Sequence, residues 1–235
     1  MTDLEAAMVR GPYKNGVERR KKIVAAAAEL FGQYGYHGAS LQAIADLVGT
    51  TKATLVSYFG SKEGLLIAVL DYWRRESSPE TAVYHGLDFF RSHIALMHYH
   101  LTRRGLIELF LTMSVESSRE DHPARPSILE RQETTFRGMV TNLRHAVAAG
   151  EIPPMPEEQM ERDARLLIAV MDGIELQWIL DPRVDLEGLV CAHVDDAISR
   201  WSGTPIDEVR TETAEWLARH RIPPATGSTS ATVTR

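Results

Sequence analysis

The chain has 235 residues, of which 44% are hydrophobic and 25% charged, and its formal net charge is −6. This is the composition of an ordinary globular protein, and it excludes a disordered or collagen-like chain. No apolar run approaches the roughly 18 residues of a membrane-spanning helix, and the first residues do not form a signal peptide. The single cysteine, Cys191, excludes an intramolecular disulfide and a multi-cysteine metal site. We therefore expect a cytoplasmic protein without a membrane partner.

Positive charge is concentrated in residues 10–62. This segment contains eight basic and three acidic residues, a net charge of +5, so the rest of the chain carries −11. A basic segment on an acidic protein indicates either a polyanion partner for that segment or a solvated basic surface. Charge alone leaves both interpretations open.

The first predicted helix begins at Val17, after a basic arm (1–16) whose Gly, Pro and Asn residues favour flexibility. Apolar residues recur along one face of this helix at helical spacing, and Gly35 ends it. That face comprises Ile23, Ala27, Leu30, Phe31 and Tyr34.

Two short helices are predicted next. Ser40 is the expected N-cap of a helix over 41–48, and Thr50 or Thr51 is the expected cap of another over 52–59. Two short helices joined by a glycine-containing turn are the helix-turn-helix pattern, in which the second helix lies in the DNA major groove.

The rest of the chain is also predicted to be helical, because it lacks the alternation of β-branched residues and the hairpin turns of strands. After a fourth helix that opens at 61–64, helices are predicted near 79–103, 105–118, 126–149, 156–180, 186–202 and 206–220. The predicted domains are a helix-turn-helix domain (17–62), a larger helical domain (63–203), a C-terminal helix (204–222) and a low-complexity tail expected to be disordered (223–235). The predicted fold class is therefore all-α.

The segment from Val17 to Tyr72 resembles the DNA-binding domain of TetR-family transcriptional regulators. The resemblance is carried by IVAAAAELF (23–31), YGY (34–36), SLQAIA (40–45), GTTKATL (49–55), YFGSKE (58–63) and LL (65–66). A softer resemblance to the ligand-binding domains of one branch of that family is carried by GEIPP (150–154), AVMDGIELQW (169–178) and DP (181–182). The resemblance implies an all-α homodimeric regulator, with a three-helix helix-turn-helix domain and a larger ligand-binding and dimerisation domain. It implies a palindromic operator and a small-molecule inducer that releases a repressor from DNA.

The resemblance also places the DNA contacts. The positions of the family's base contacts fall on Gln42, Thr51, Lys52 and Ala53. The positions of its phosphate contacts fall on Ser40, Thr54, Ser57, Tyr58 and Lys62. At Val56 the chain departs from the family's usual tyrosine, and the valine could instead contact a thymine methyl group. For Gln42 a neutral surface role, and for Tyr58 plain core packing, are equally open.

The larger domain offers candidates for an inducer pocket, since such pockets are mainly apolar with a few polar groups. The candidates are Trp73, Phe90, His93, Met97, Phe110, Met113, Phe136, Met139 and Gln177, which suit an apolar or aromatic molecule. The family also places the dimer surface on the helices near 156–180 and 186–202. Their apolar stripes comprise Leu167, Val170, Met171, Ile174 and Trp178 on the first, and Leu189, His193, Ala197 and Trp201 on the second. These stripes could also face the chain's own core.

We expect no enzyme activity, no catalytic residue and no cofactor, because the chain lacks the common hydrolase, zinc-protease and nucleotide-binding motifs. We also expect no metal site, since His93, His98 and His100 are not spaced to place three ligands on one helix face. Two alternatives remain: an α-helical small-molecule-binding protein without a DNA function, and a redox sensor acting through Cys191.

Overall fold

The computed structural model describes residues 12–77 and 83–220, and within these ranges every regular element is an α-helix. The all-α prediction is confirmed. The helices are α1 (Pro12–Gly38), α2 (Leu41–Leu47), α3 (Lys52–Phe59), α4 (Lys62–Ser77), α5 (Leu87–Leu101), α6 (Arg104–Glu116), α7 (Arg125–Ala148), α8 (Glu157–Leu180), α9 (Leu186–Ser202) and α10 (Ile206–Arg219).

Helix α1 is longer at both ends than the sequence pattern predicts. It begins at Pro12 and not at Val17, because proline has no amide hydrogen to lose in the first turn and its φ already suits a helix. At the other end Gly35 adopts φ 70° and ψ 169°, which kinks the helix, and the chain remains helical to Gly38. The predicted basic arm is therefore helical from residue 12, and residues 1–11 lie outside the described residues.

The helix-turn-helix pair is built from local signals. The Ser40 hydroxyl accepts a hydrogen bond from the Ala43 amide at 3.0 Å and caps α2, as predicted. Of the two threonines that could cap α3, Thr51 does so, since its hydroxyl accepts from the Thr54 amide at 3.2 Å. Because each cap satisfies an otherwise unpaired amide, both short helices begin at a defined residue.

Helix α5 begins later than predicted. Residues 83–86 form a turn and 78–82 lie outside the described residues, so α5 starts at Leu87 and not near 79. Gly86 adopts φ 59°, and a side chain there would collide with the Glu151 carboxylate. That carboxylate accepts a hydrogen bond from the Leu87 amide at 2.8 Å and so begins the helix. The predicted tail, 223–235, also lies outside the described residues.

The described residues divide into two compact units. The first contains the described residues up to Glu76 and Arg104–Gln132, and the second contains Ser77–Arg103 and the described residues from Glu133 onward. In the first unit, α6 crosses α1 where Gly32 and Gly105 bring the two backbones together. In the second unit, α9 packs against α5, α8 and α10.

Within the part of the chain that the structure describes, no single helix has the length and apolar composition to cross a membrane. Helix α3 and Lys62–Trp73 of α4 meet that criterion only as a pair, and the pair is bent by 66°.

Candidate nucleic-acid interface

Helix α3 turns one apolar residue inward and keeps a polar edge on the surface. Leu55 is fully buried, whereas Thr51, Lys52 and Ser57 are exposed. Ala53 is also exposed, as is Val56 at 41%. This edge is therefore accessible to a partner.

Two other candidates on α3 lie partly within the fold. Tyr58 is 36% exposed, with its ring centroid 6.1 Å from that of Phe59. Thr54 is half-buried, and its hydroxyl lies 3.0 Å from that of Thr51. A phosphate contact from Thr54 would therefore compete with its bond to Thr51.

Gln42 is exposed on α2 and already has a hydrogen-bond partner. Its amide nitrogen donates to the Asp46 carboxylate at 2.7 Å, one helical turn further along. Ser40, at the start of the same helix, is exposed, although its hydroxyl caps the helix. The candidate contacts on α2 thus combine exposure with a defined orientation.

Two arginines of α1 are fixed beside this pair of helices. Arg19 donates to the Thr50 hydroxyl at 3.1 Å, in the turn between α2 and α3. The Arg20 guanidinium lies 4.9 Å from the ring centroid of Phe59 in α3. Sequence reasoning left both out of the candidate DNA contacts. Their place in the basic segment is the signal that points to them, because fixed cations beside α3 attract phosphate.

Lys62, at the start of α4, is half-buried. Its ammonium group lies 4.6 Å from the ring centroid of Tyr36, and burial lowers the pKa of Lys62 while Glu63 opposes that shift. The Tyr36 hydroxyl donates to Glu63 at 3.0 Å, and burial followed by this bond raises the pKa of Tyr36. A phosphate contact from Lys62 would therefore start from a side chain that is already packed on an aromatic ring.

The ligand-pocket candidates are divided between the two units. In the first unit, the rings of Trp73 and Phe110 lie 5.2 Å apart, with the Arg131 guanidinium 3.9 Å from the first and 4.4 Å from the second. Met113 is fully buried in the same unit. These residues are core in the structure, and whether they touch a ligand stays a prediction.

In the second unit, Phe90, Met97 and Met139 are buried. Phe136 is half-buried beneath the Arg165 guanidinium, which lies 3.7 Å from its ring centroid. Gln177, by contrast, is exposed on α8. The structure thus places Gln177 on the surface, whereas the three buried candidates belong to the interior of the unit.

The three histidines of α5 have separate environments. His93 is buried, its Nδ1 donates to the Phe89 carbonyl at 2.9 Å, and burial lowers its pKa to about 4. His100 pairs with the buried carboxylate of Glu175 on α8 at 2.6 Å. His98 lies 3.6 Å from Glu187. Sequence reasoning did not single out Glu175, since a carboxylate between apolar residues of a helix carries no sign of its buried partner.

The apolar stripe predicted for the α8 dimer surface is mostly core. Four of its five members are less than 9% exposed, namely Leu167, Met171, Ile174 and Trp178. Only Val170, which is 38% exposed, lies on the surface. The exposed apolar face of α8 is the neighbouring one, which comprises Leu166, Ala169, Val170, Leu176 and Leu180.

Helix α9 shows the same division. Ala197 and Trp201 are buried, whereas Leu189 is 45% exposed and His193 is half-buried. Each helix is apolar on two sides, so periodicity alone does not separate the core face from the outer face.

Cys191 is half-buried on α9. Its thiol donates to the Asp195 carboxylate at 3.7 Å, and burial followed by the Asp195 charge raises the pKa of Cys191 to about 11. Because the thiolate is the reactive form, this environment disfavours the redox-sensor alternative.

Known protein families match an N-terminal and a C-terminal region of the chain. Residues 23–69 match the family model of bacterial regulatory proteins of the tetR family, and residues 95–201 match the C-terminal domain of BetI-type transcriptional repressors. The transcriptional regulator UidR of Escherichia coli is 30% identical over 162 residues, which cover 66% of this chain and 79% of UidR. The chain belongs to the TetR family.

One further relative and one solved structure of the same fold extend the comparison. The HTH-type transcriptional regulator RutR of Escherichia coli is 44% identical over 73 residues, which cover 29% of this chain and only 34% of RutR. This chain therefore spans about a third of the length of RutR. The structure of FadR from Bacillus subtilis in complex with stearoyl-CoA shares the fold, with a TM-score of 0.59 and 20% identity over 76% of this chain and 97% of FadR.

Proposed function

We propose that this TetR-family protein is a repressor that binds a palindromic operator as a homodimer and leaves it when a small molecule binds. The observation that carries the proposal is the exposed polar edge of α3, with Thr51, Lys52 and Ser57 on the surface. Arg19 and Arg20 supply fixed positive charge beside that edge.

In this proposal α3 lies in the major groove. Lys52 at its first turn donates to guanine O6 and N7, and Val56 contacts a thymine methyl group. Lys62 and the two arginines of α1 contact phosphate, which sets the affinity without selecting the sequence. Two copies read half-sites about 34–36 Å apart, which is one turn of DNA.

A second copy would cover the exposed apolar face of α8. Leu166, Val170 and Leu180 are 55%, 38% and 77% exposed, which is unusual for a row of large apolar side chains on one helix. In a two-fold dimer the same face of each copy packs against the other, as in a four-helix interface with α9. We propose that the assembled regulator meets its operator in the cytoplasm.

The inducer we propose is a small apolar or aromatic molecule bound by the second unit. The buried aromatic and thioether side chains of that unit, Phe90, Met97 and Met139, suit such a ligand. The complex of FadR with stearoyl-CoA is an apolar-chain example in the same fold. A coupling of about 1–3 kcal/mol between ligand and DNA would change occupancy roughly 5- to 150-fold.

Two lysine variants test the assignment of DNA contacts. We expect Lys62→Met to weaken binding to all duplexes about equally and to reduce the salt dependence by about one counterion per contact. Methionine has an unbranched side chain of similar length, so the variant removes the ammonium group over the Tyr36 ring with little change in shape. Lys52→Ala should cost about 1–3 kcal/mol on the operator and relax the choice of base at one position.

Both variants are measured by fluorescence anisotropy against a duplex selected from random DNA and against single-base variants of it. Equal effects of the two variants on every duplex would show that Lys52 does not read a base.

A further inference from the structure

The pair formed by Gln42 and Asp46 is a side-chain bond on the surface of α2. Both residues are exposed, and the distance from the Gln42 amide nitrogen to the Asp46 carboxylate is 2.7 Å. The spacing of four residues places them one above the other on one face of the helix. In the proposed DNA complex, in which Gln42 reads a base, this bond lies on the surface of α2 that faces the duplex.

This bond fixes the orientation of the Gln42 amide group. A carboxylate only accepts hydrogen bonds, so the NH₂ end of the amide must face Asp46. A glutamine without such a partner presents either its oxygen or its nitrogen at a given point, because the two ends are similar in shape. Asp46 removes this freedom.

Asp46 also stands out by its charge. Residues 10–62 contain only two other acidic residues, Glu18 and Glu29. A carboxylate on α2 repels phosphate and so weakens DNA binding of every sequence. A role in orienting Gln42 accounts for a negative charge at this place.

We propose that Asp46 is a positioning residue that makes Gln42 selective for adenine, an inference that rests on the proposed DNA-binding function. With one amide hydrogen held by Asp46, the second hydrogen donates to adenine N7 and the amide oxygen accepts from adenine N6. Guanine presents O6, an acceptor, where adenine presents a donor. The fixed amide oxygen therefore meets another oxygen, and guanine is rejected.

The experiment uses the full chain and a duplex selected from random DNA. Gln42→Ala first identifies the base pair that Gln42 reads, as the position at which the preference for A·T over G·C is lost. For a bidentate pair we expect that preference to be about 5-fold or more. Asp46→Ala should then lower the preference at this position by about 3-fold or more and leave the other positions unchanged, while affinity for all duplexes rises.

Three further variants separate orientation from charge and from folding. Glu29→Ala removes a negative charge from the same unit without touching Gln42, and it should leave the base preference unchanged. Asp46→Glu retains a carboxylate that still reaches Gln42 at this spacing, and it should restore most of the preference. In the Gln42→Ala background, Asp46→Ala should not change the preference for A·T over G·C at the identified position.

The outcomes distinguish this proposal from the proposed function. An unchanged preference in Asp46→Ala, an equal loss at all positions, or no position-specific loss in Gln42→Ala would overturn the positioning role while DNA binding stands. If the unaltered protein selects no duplex at all, the proposed function fails and the positioning role fails with it.

Discussion

At the scale of single residues, His93 shows how burial controls protonation in the second unit. The side chain is enclosed and its Nδ1 is committed to the Phe89 carbonyl at 2.9 Å, and its edge meets the Phe89 ring at a centroid distance of 4.8 Å. Burial lowers the pKa of His93 from 6.5 to about 4. The folded protein therefore holds His93 neutral at pH values at which the unfolded chain is already protonated.

This pKa shift makes stability depend on pH. Above pH 6.5 both states are neutral and the full stability is present, and as the pH falls from 6.5 to about 4 the unfolded chain alone takes up the proton. We expect the unaltered protein to lose about 2 kcal/mol more stability between pH 7 and pH 5 than His93→Gln does. Urea unfolding, followed by the fluorescence of Trp178, Trp201 and Trp216 in the same unit, measures the difference.

His98→Gln is the matched control, since His98 is half-exposed on the same helix. It should retain the pH dependence of the unaltered protein. If the unaltered protein and His93→Gln lose the same free energy of unfolding between pH 7 and pH 5, His93 is not the group that titrates.

Residue-scale prediction from sequence succeeded where the signal is local. The cap at Ser40 depends on a few neighbouring residues, and sequence pattern found it. The partners of Lys62 and His100 are distant in sequence, since they are Tyr36 and Glu175 respectively. No local pattern predicts such pairs, so the packing of Lys62 and the buried histidine pair emerged only from the structure.

At the scale of helices, the backbones of α1 and α6 approach each other closely where the two helices cross in the first unit. A Cβ on Gly105 would overlap the carbonyl oxygen of Gly32, and a Cβ on Gly32 would lie 3.3 Å from the carbonyl carbon of Gly105. Neither backbone can move without displacing its helix, so glycine is needed at Gly105.

We expect Gly105→Ala to destabilise the protein by about 1–3 kcal/mol, because the two helices must separate. Gly138→Ala is the matched control, since a Cβ at this position inside α7 would meet only the Phe89 ring, at the ordinary contact distance of 3.7 Å. That change should stabilise α7 by about 0.5–1 kcal/mol. Thermal unfolding followed by circular dichroism compares the two variants, and equal melting temperatures would contradict the close crossing.

Helix boundaries were largely predictable because glycine, proline and capping residues mark them. The predicted range 52–59 agrees with α3, and the prediction for α9 agrees as well. The start of α1 was misplaced because proline was interpreted as a breaker, although it fits a first turn. The spacing of apolar residues does not reveal which of two apolar faces a helix buries. The outer face of α8 was therefore not predictable.

At the scale of the whole molecule, the exposed face of α8 predicts a dimer. Val170→Glu places a charge on this face, where a second copy would bury it without a partner, and we expect the dimer to dissociate. Analytical ultracentrifugation measures the mass in solution. Val115→Glu is the control, because Val115 is 74% exposed on α6 in the other unit, and this variant should remain dimeric. A dimer that survives Val170→Glu would place the interface elsewhere.

The central claim is that α3 and the basic residues beside it bind duplex DNA. The most direct test titrates the unaltered protein into a selected duplex at 50 and 200 mM salt. With about three cationic contacts in each of two copies, we predict two copies bound per duplex and an affinity that falls about 10³-fold between the two salt concentrations. No binding at 50 mM salt, or binding that does not change with salt, would contradict the account.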